Sequence, residues 1–158
     1  MSHDWSSLFS TSAGYTDLAA AGAALSPLDG RYRPVVAHLA DFLSEAALNR
    51  ARVHVEVEWL IHLLDHRVLP GAPTLSDAER DHLRALPVRF GQDEIDRLGE
   101  IEVKTRHDVK AVEYLIDEYL DAAPEVLGPD TVLPHLREVV HVFCTSEDIN
   151  NLAFTVSA

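Results

Sequence analysis

The sequence predicts an all-α fold, and three observations predict it. Apolar residues recur at helical spacing through most of the 158 residues, no run alternates with the period of two of a half-buried strand, and proline and glycine divide the pattern into helix-length pieces. No internal repeat is present. A chain of this length makes one domain with a genuine core, burying roughly 68–70% of its unfolded surface.

Residues 1–25, rich in Ser, Ala and Gly, carry only a weak helical pattern from Tyr15 to Leu25 and read as a flexible arm. Ser26-Pro27-Leu28-Asp29-Gly30 has turn chemistry. Pro34 suits a first helical turn, and Val35, Val36, Leu39, Phe42 and Leu43 form an apolar stripe expected to carry core. Leu48 to Leu64 is strongly amphipathic, with Val53, Val57, Leu60, Ile61 and Leu64 on one side. Pro70, Gly71 and Pro73 make Arg67 to Thr74 a loop. Ser76 then N-caps a helix through about Leu86, which Pro87 is expected to close.

Gly91 to about Ile101 and Asp108 to Leu120 are the next helices. Val109, Val112, Leu115, Ile116 and Tyr119 stripe the second. Three prolines make Ala122 to Pro134 a loop, a short helix is expected from about His135 to Phe143, and another begins at Thr145 or Ser146. Leu152 to Ala158 is still apolar-periodic and lacks the glycine, asparagine or basic turn that closes a helix. The expected organisation is an arm over 1–25, a helical domain over 26–144, and over 145–158 the start of a helix cut in mid-course. Such a cut would expose Leu152, Phe154 and Val156.

The formal charge of −13, from 26 acidic against 13 basic side chains, repels phosphate backbones and anionic lipid, so neither nucleic acid nor membrane is an expected partner. The first 25 residues have no basic leading region and no apolar run of signal-peptide length, which points to a cytoplasmic protein. A single cysteine, Cys144, excludes an internal disulfide framework.

Against this acidic background two segments stand out, Lys104-Thr105-Arg106-His107-Asp108-Val109-Lys110 and Thr145-Ser146-Glu147-Asp148-Ile149-Asn150-Asn151. Each ends a loop and opens a helix, with hydroxyl, carboxylate and basic groups crowded into the first turn. A helix N-terminus presents unpaired N–H groups and a partial positive charge, so such groups make a cradle for an anionic small molecule. The chain's two lysines, Lys104 and Lys110, flank Arg106-His107 and set a local positive potential. Asp108 is expected to cap the helix and orient the His107 imidazole. Thr145 with Asp148 resembles a capping box with Asp in place of Glu.

Three stretches in order and spacing carry a resemblance: Ser26-Pro27-Leu28-Asp29-Gly30-Arg31-Tyr32, Thr105-Arg106-His107-Asp108-Val109-Lys110-Ala111-Val112-Glu113-Tyr114, and Cys144-Thr145-Ser146-Glu147-Asp148-Ile149-Asn150-Asn151-Leu152. From about Leu25 to Ala158 the chain resembles the N-terminal domain of the adenylosuccinate lyase family, within the fumarase/aspartase superfamily. That likeness implies a helical domain ending at the start of the first long helix of a central domain. It also implies a cofactor-free lyase of purine biosynthesis that eliminates fumarate from adenylosuccinate, giving AMP, and from the succinylated aminoimidazole carboxamide ribotide.

The family's substrate contacts fall here on Arg31, Tyr32, Arg106, His107, Asp108, Thr145 and Ser146, with His107 in a supporting or orienting role. Some relatives have Asn where this chain has Arg106, which leaves the group it contacts open. The family's base, a serine on a Gly-Ser-Ser-x-Met-Pro loop, and its acid, a histidine following Arg-Thr, have no counterpart here. Met1 is the only methionine and none of the nine histidines follows a threonine. Both normally lie downstream, in a domain that builds a homotetramer, so the chain alone is expected to be inactive.

Other readings compete. His54, Glu58, His62 and His66 recur every four residues and could hold zinc, although the same face reads as a solvent or subunit surface. His141 and Cys144 could form a thiol nucleophile, although Cys144 reads more simply as a small buried residue. The alternative of a different class is a non-catalytic acidic helical interaction module, a truncated paralogue.

Overall fold

The structure, a computed structural model, describes residues 26–157. The expected arm over 1–25 lies outside the described residues. Among them every regular element is helical: α1 (Arg33–Val36), a 3₁₀ turn (Ala37–Leu39), α2 (Ala40–Leu43), α3 (Glu45–Asp65), α4 (Asp77–Arg89), α5 (Gln92–Thr105), α6 (Asp108–Leu127), a 3₁₀ segment (Leu133–Val139) and α7 (Ser146–Ser157). None is long and apolar enough to cross a membrane. The chain divides into two compact units between Leu39 and Ala40.

In the first unit the Ser26–Tyr32 turn leads into α1, with Pro34 in its first turn. The stripe expected to carry core does not. It breaks into α1 and the 3₁₀ turn, which belong to this unit, and α2, which belongs to the second; none contains a buried residue, and Val35, Leu39, Phe42 and Leu43 are exposed. Four-residue helices are too short to hold a face against a neighbour, so spacing alone does not translate into burial here.

The second unit is built on α3. It starts earlier than its apolar pattern, because Ser44 caps it by accepting the Ala47 N–H (3.1 Å). Val53, Val57, Leu60, Ile61 and Leu64 enter the main core with Leu83 and Leu86 of α4, Leu98 and Ile101 of α5, and Val112, Ile116 and Leu120 of α6. Leu133 and Leu136 close it from the 3₁₀ segment. On another side of α3, Val55 packs with Val109 and Ile149 in a second, smaller cluster bordered by Cys144.

Four boundaries differ from the sequence reading. Pro87 does not close α4, which continues to Arg89; a proline in the last turn removes one hydrogen bond, and its ring is buried. The next helix, α5, runs on to Thr105. Ala122 to Pro134 is not all loop, because α6 passes through Pro124 and ends at Gly128, whose φ of 94° favours glycine. The helix expected from His135 to Phe143 is a 3₁₀ segment from Leu133 to Val139.

Glu79 staples the start of α4 to the loop after α6. Its Oε2 accepts the Ser76 N–H (2.8 Å) and hydroxyl (2.8 Å) to complete a capping box, while Oε1 accepts the Thr131 hydroxyl (2.7 Å) and Val132 N–H (2.8 Å). Burial pushes this carboxyl up, but the Ser76, Thr131 and Val132 donors outweigh it and bring it down to about 2. A depressed carboxylate stabilises the fold fully above its unfolded value near 4.5 and loses that contribution as pH falls towards 2. Glu79→Ala is therefore expected to lower unfolding free energy by about 1.5–3 kcal/mol at pH 7. The difference from the parent should shrink when denaturant melts are repeated between pH 4.5 and 2.5.

Candidate functional site

The first basic segment folds into the junction of α5 and α6. Arg106 ends α5 in the left-handed region (φ 52°), its N–H bonded to the Glu102 carbonyl (2.7 Å). His107 is extended and is itself the N-cap: its Nδ1 accepts the Lys110 N–H at 3.2 Å. That bond requires a neutral imidazole with its proton on Nε2. The expected cap, Asp108, is instead the first residue of α6, and its Oδ1 stands 3.6 Å from His107 Nδ1, beyond hydrogen-bonding distance. A histidine side chain has taken the N-cap role because the left-handed Arg106 turns the chain one residue earlier.

Both carboxylate oxygens of Asp108 are hydrogen-bonded. Its Oδ1 accepts the Val109 N–H (2.9 Å) and its Oδ2 the Arg52 guanidinium (2.6 Å). Burial pushes the carboxyl up, but the Val109 N–H and Arg52 hold it below the usual carboxylate range. Lys110 binds Glu113 (2.6 Å) and lies over the Tyr114 ring. The four expected cations thus sort themselves: Lys110 is neutralised, His107 caps, and Lys104 and Arg106 make no side-chain hydrogen bond or ion pair among the described residues.

At the second segment, Asp148 Oδ2 accepts both the Thr145 N–H (2.8 Å) and hydroxyl (3.0 Å), half of the expected capping box. Thr145 is committed to this turn, which leaves Ser146, half-buried, with the uncommitted hydroxyl. The loop leading here holds His141 (φ 64°) and Phe143 (φ 68°) in the left-handed region, unfavourable for non-glycine residues. Helix α3 holds that loop down. Glu56, fully buried, meets His141 Nδ1 at 2.5 Å, and the Trp59 indole N–H donates to the Val142 carbonyl at 2.8 Å. Burial pushes the Glu56 carboxyl up, and the His141 bond only partly offsets it.

Arg52 brings the two segments together. Its side chain is 7% exposed, and the guanidinium donates to Asp108 Oδ2 on α6, to Asn150 Oδ1 on α7 (2.9 Å) and to Asn49 Oδ1 on its own helix (2.8 Å). Beside it Val109 and Ile149, both 0% exposed, meet on Val55. Residues forty apart in sequence thereby become neighbouring helix starts with donors available at His107, Arg106 and Ser146. Arg31 and Tyr32 belong to the first unit, where the Arg31 guanidinium lies 5.6 Å above the Tyr32 ring and both residues are exposed. Sequence reasoning missed Arg52 and Glu56. Their signal is a charged residue inside a run of buried valines, Arg52-Val53 and Val55-Glu56-Val57.

No family model matches the chain. Adenylosuccinate lyase of Escherichia coli strain K12 is 40% identical over 130 residues, 82% of this chain and 27% of that protein. Those of Legionella pneumophila (36% over 133 residues, 84% and 28%) and Dictyostelium discoideum (38% over 136 residues, 85% and 28%) are similar to a like extent. The chain belongs to the adenylosuccinate lyase family. It spans about a quarter of the length of the curated relatives it matches.

The competing sites acquire structural uses within this member of the adenylosuccinate lyase family. Glu58 is bound in a two-pronged pair by Arg84 (2.7 and 2.9 Å), and the His62 ring stacks on Trp59 and His66. No group of three metal-ligating side chains suited to an ion occurs among the described residues. Cys144 borders the small apolar cluster, and burial, with Glu56 and Asp148 nearby, pushes its thiol up to about 11. A thiol so protonated is a poor nucleophile. Iodoacetamide at pH 8 is expected to alkylate Cys144 on the order of a hundredfold more slowly than free cysteine; a rate equal to free cysteine would restore the nucleophile reading.

Proposed function

We propose that this chain is the N-terminal part of an adenylosuccinate lyase and forms one wall of its active site. The whole enzyme would be a homotetramer of purine biosynthesis acting on nucleotide substrates without a cofactor. It would eliminate fumarate from adenylosuccinate, giving AMP, and from the succinylated aminoimidazole carboxamide ribotide. The observation that carries this reading is the joining of the two helix starts at Arg52. It draws together two of the segments that carry the family likeness, whose positive helix ends and open donors suit phosphate and succinyl groups.

Roles divide by what each side chain has left to give. Arg106, His107 through Nε2, and Ser146 contact substrate, and by the family likeness Arg31 and Tyr32 do so in the whole enzyme. Asp108 and Thr145, whose acceptors and donors are engaged, present their neighbours. Elimination also needs a base to take the proton beside a carboxylate and an acid for the departing nitrogen. With His107 accepting the Lys110 N–H, its proton on Nε2 suits orientation of an anionic or carbonyl oxygen, and the main acid and base come from elsewhere in the enzyme.

A non-catalytic interaction module is the second reading. It is favoured by a groove of about 530 Å³ between α3 and α7, lined by Trp59, Phe143, Leu152 and Val156, the last three exposed.

Two measurements decide. The chain by itself is expected to release no fumarate from adenylosuccinate, followed by ultraviolet absorbance; turnover near that of a complete lyase would sink the assignment of acid and base outside it. In the complete enzyme, His107→Ala should cost about 1.5–3 kcal/mol in transition-state binding, roughly ten- to a hundredfold in kcat/KM, and His62→Ala almost nothing. Equal small effects, with melts showing both variants folded, would make His107 a helix cap only.

A further inference from the structure

Three helices meet at one side chain, and the geometry at that point goes beyond holding a fold. The Arg52 fork is braced on one side by Asn49, a turn earlier on α3, so the guanidinium plane is set before it reaches its other partners. Its Nε then serves Asn150 and its Nη2 serves Asp108. Asp108 directly follows His107, and Asn150 lies one helical turn after Ser146 on α7. A lysine at this position could reach one of these acceptors but not all three in a plane. At 7% exposure the group cannot turn to water when a partner is lost, so the remaining partners must move with it. The apolar contact of Val109 and Ile149 on Val55 gives the same two helix starts a second shared support.

We propose that Arg52 is a positioning residue that couples the α6 start to the α7 start, so that His107 and Ser146 are held as one ligand-binding unit and loosening either start loosens the other. What the unit binds rests on the reading under Proposed function. The coupling belongs to the three helices themselves and is tested separately.

Amide hydrogen exchange of this chain, followed by NMR, reads the coupling directly. Asn150→Ala, on α7, should speed exchange of the Lys110 and Ala111 amides on α6 on the order of tenfold, and Asp108→Asn should do the same to the Asp148 and Ile149 amides on α7. In an Arg52→Lys background both starts should already exchange faster, and neither second substitution should add a cross-effect. Amides of the main core, such as Leu60 and Ile116, should stay protected in every variant, which separates coupling from unfolding.

Should Arg52→Lys unfold the chain, the two cross-effects in the parent background still decide. Substitutions that each loosen only their own helix start would overturn the proposal, as would Arg52→Lys exchanging like the parent. In the complete enzyme, Arg52→Lys and His107→Ala together should lower kcat/KM by less than the product of their separate effects. Exchange coupling with a kinetically silent His107→Ala would refute the site and keep the coupling, whereas a severe His107→Ala without exchange coupling would do the reverse.

Discussion

A guanidinium taken out of water obliges its surroundings to supply acceptors, and the arrangement of this protein's second unit follows from how that demand is met at Arg52. Its acceptors come from α3, α6 and α7, the last two being the helices whose first turns carry the chain's distinctive chemistry. Arg52 is the buried member and Asp108 the half-exposed one, so losing an acceptor strands the guanidinium rather than the carboxylate. The interaction therefore narrows the allowed positions of three helices more than apolar contact, which tolerates sliding, can do.

Helix α3 can hold this role because it is buried on more than one side. One face supplies the main core through Val53, Val57, Leu60 and Leu64, and another meets Val109 and Ile149 through Val55. Polar side chains between these faces do the precise joining: Arg52 to the helix starts, Glu56 to His141, and Trp59 to the Val142 carbonyl. The last two retain His141 and Phe143 in left-handed backbone, a conformation that persists only where the surroundings enforce it. The strain lies immediately before Thr145 and Ser146, in the segment proposed to meet substrate.

Electrostatics around the site are local. A protein with a formal charge of −13 concentrates both of its lysines within seven residues, yet Lys110 is neutralised by Glu113 and Asp108 by Arg52. On the proposed reading, the groups left to a ligand are the Arg106 guanidinium, the His107 Nε2 proton, the Ser146 hydroxyl and the positive helix ends. Those donors suit an anion reached at short range, since a net negative surface gives no long-range steering.

Much was legible in the sequence by itself. Helical periodicity established the all-α class and the core faces of α3 and α6, Ser76 marked the start of α4 as its N-cap, and the two segments announced helix starts rich in donors. These are local properties, set by spacing and by hydrogen bonds within a turn. Only the tertiary structure decided which residues those helix starts leave free, because that depends on partners far away in the chain: Asp108 is taken by Arg52, 56 residues distant, and Asn150 by the same group across 98. Local rules also misjudged the N-cap, where a left-handed Arg106 promoted His107 over Asp108, and the Val35–Leu43 stripe, whose apolar spacing lies on helices too short to bury it. Periodicity states which face of a helix can be buried; whether it is buried, and what a buried charge beside it will grip, is settled by the neighbours that pack against it.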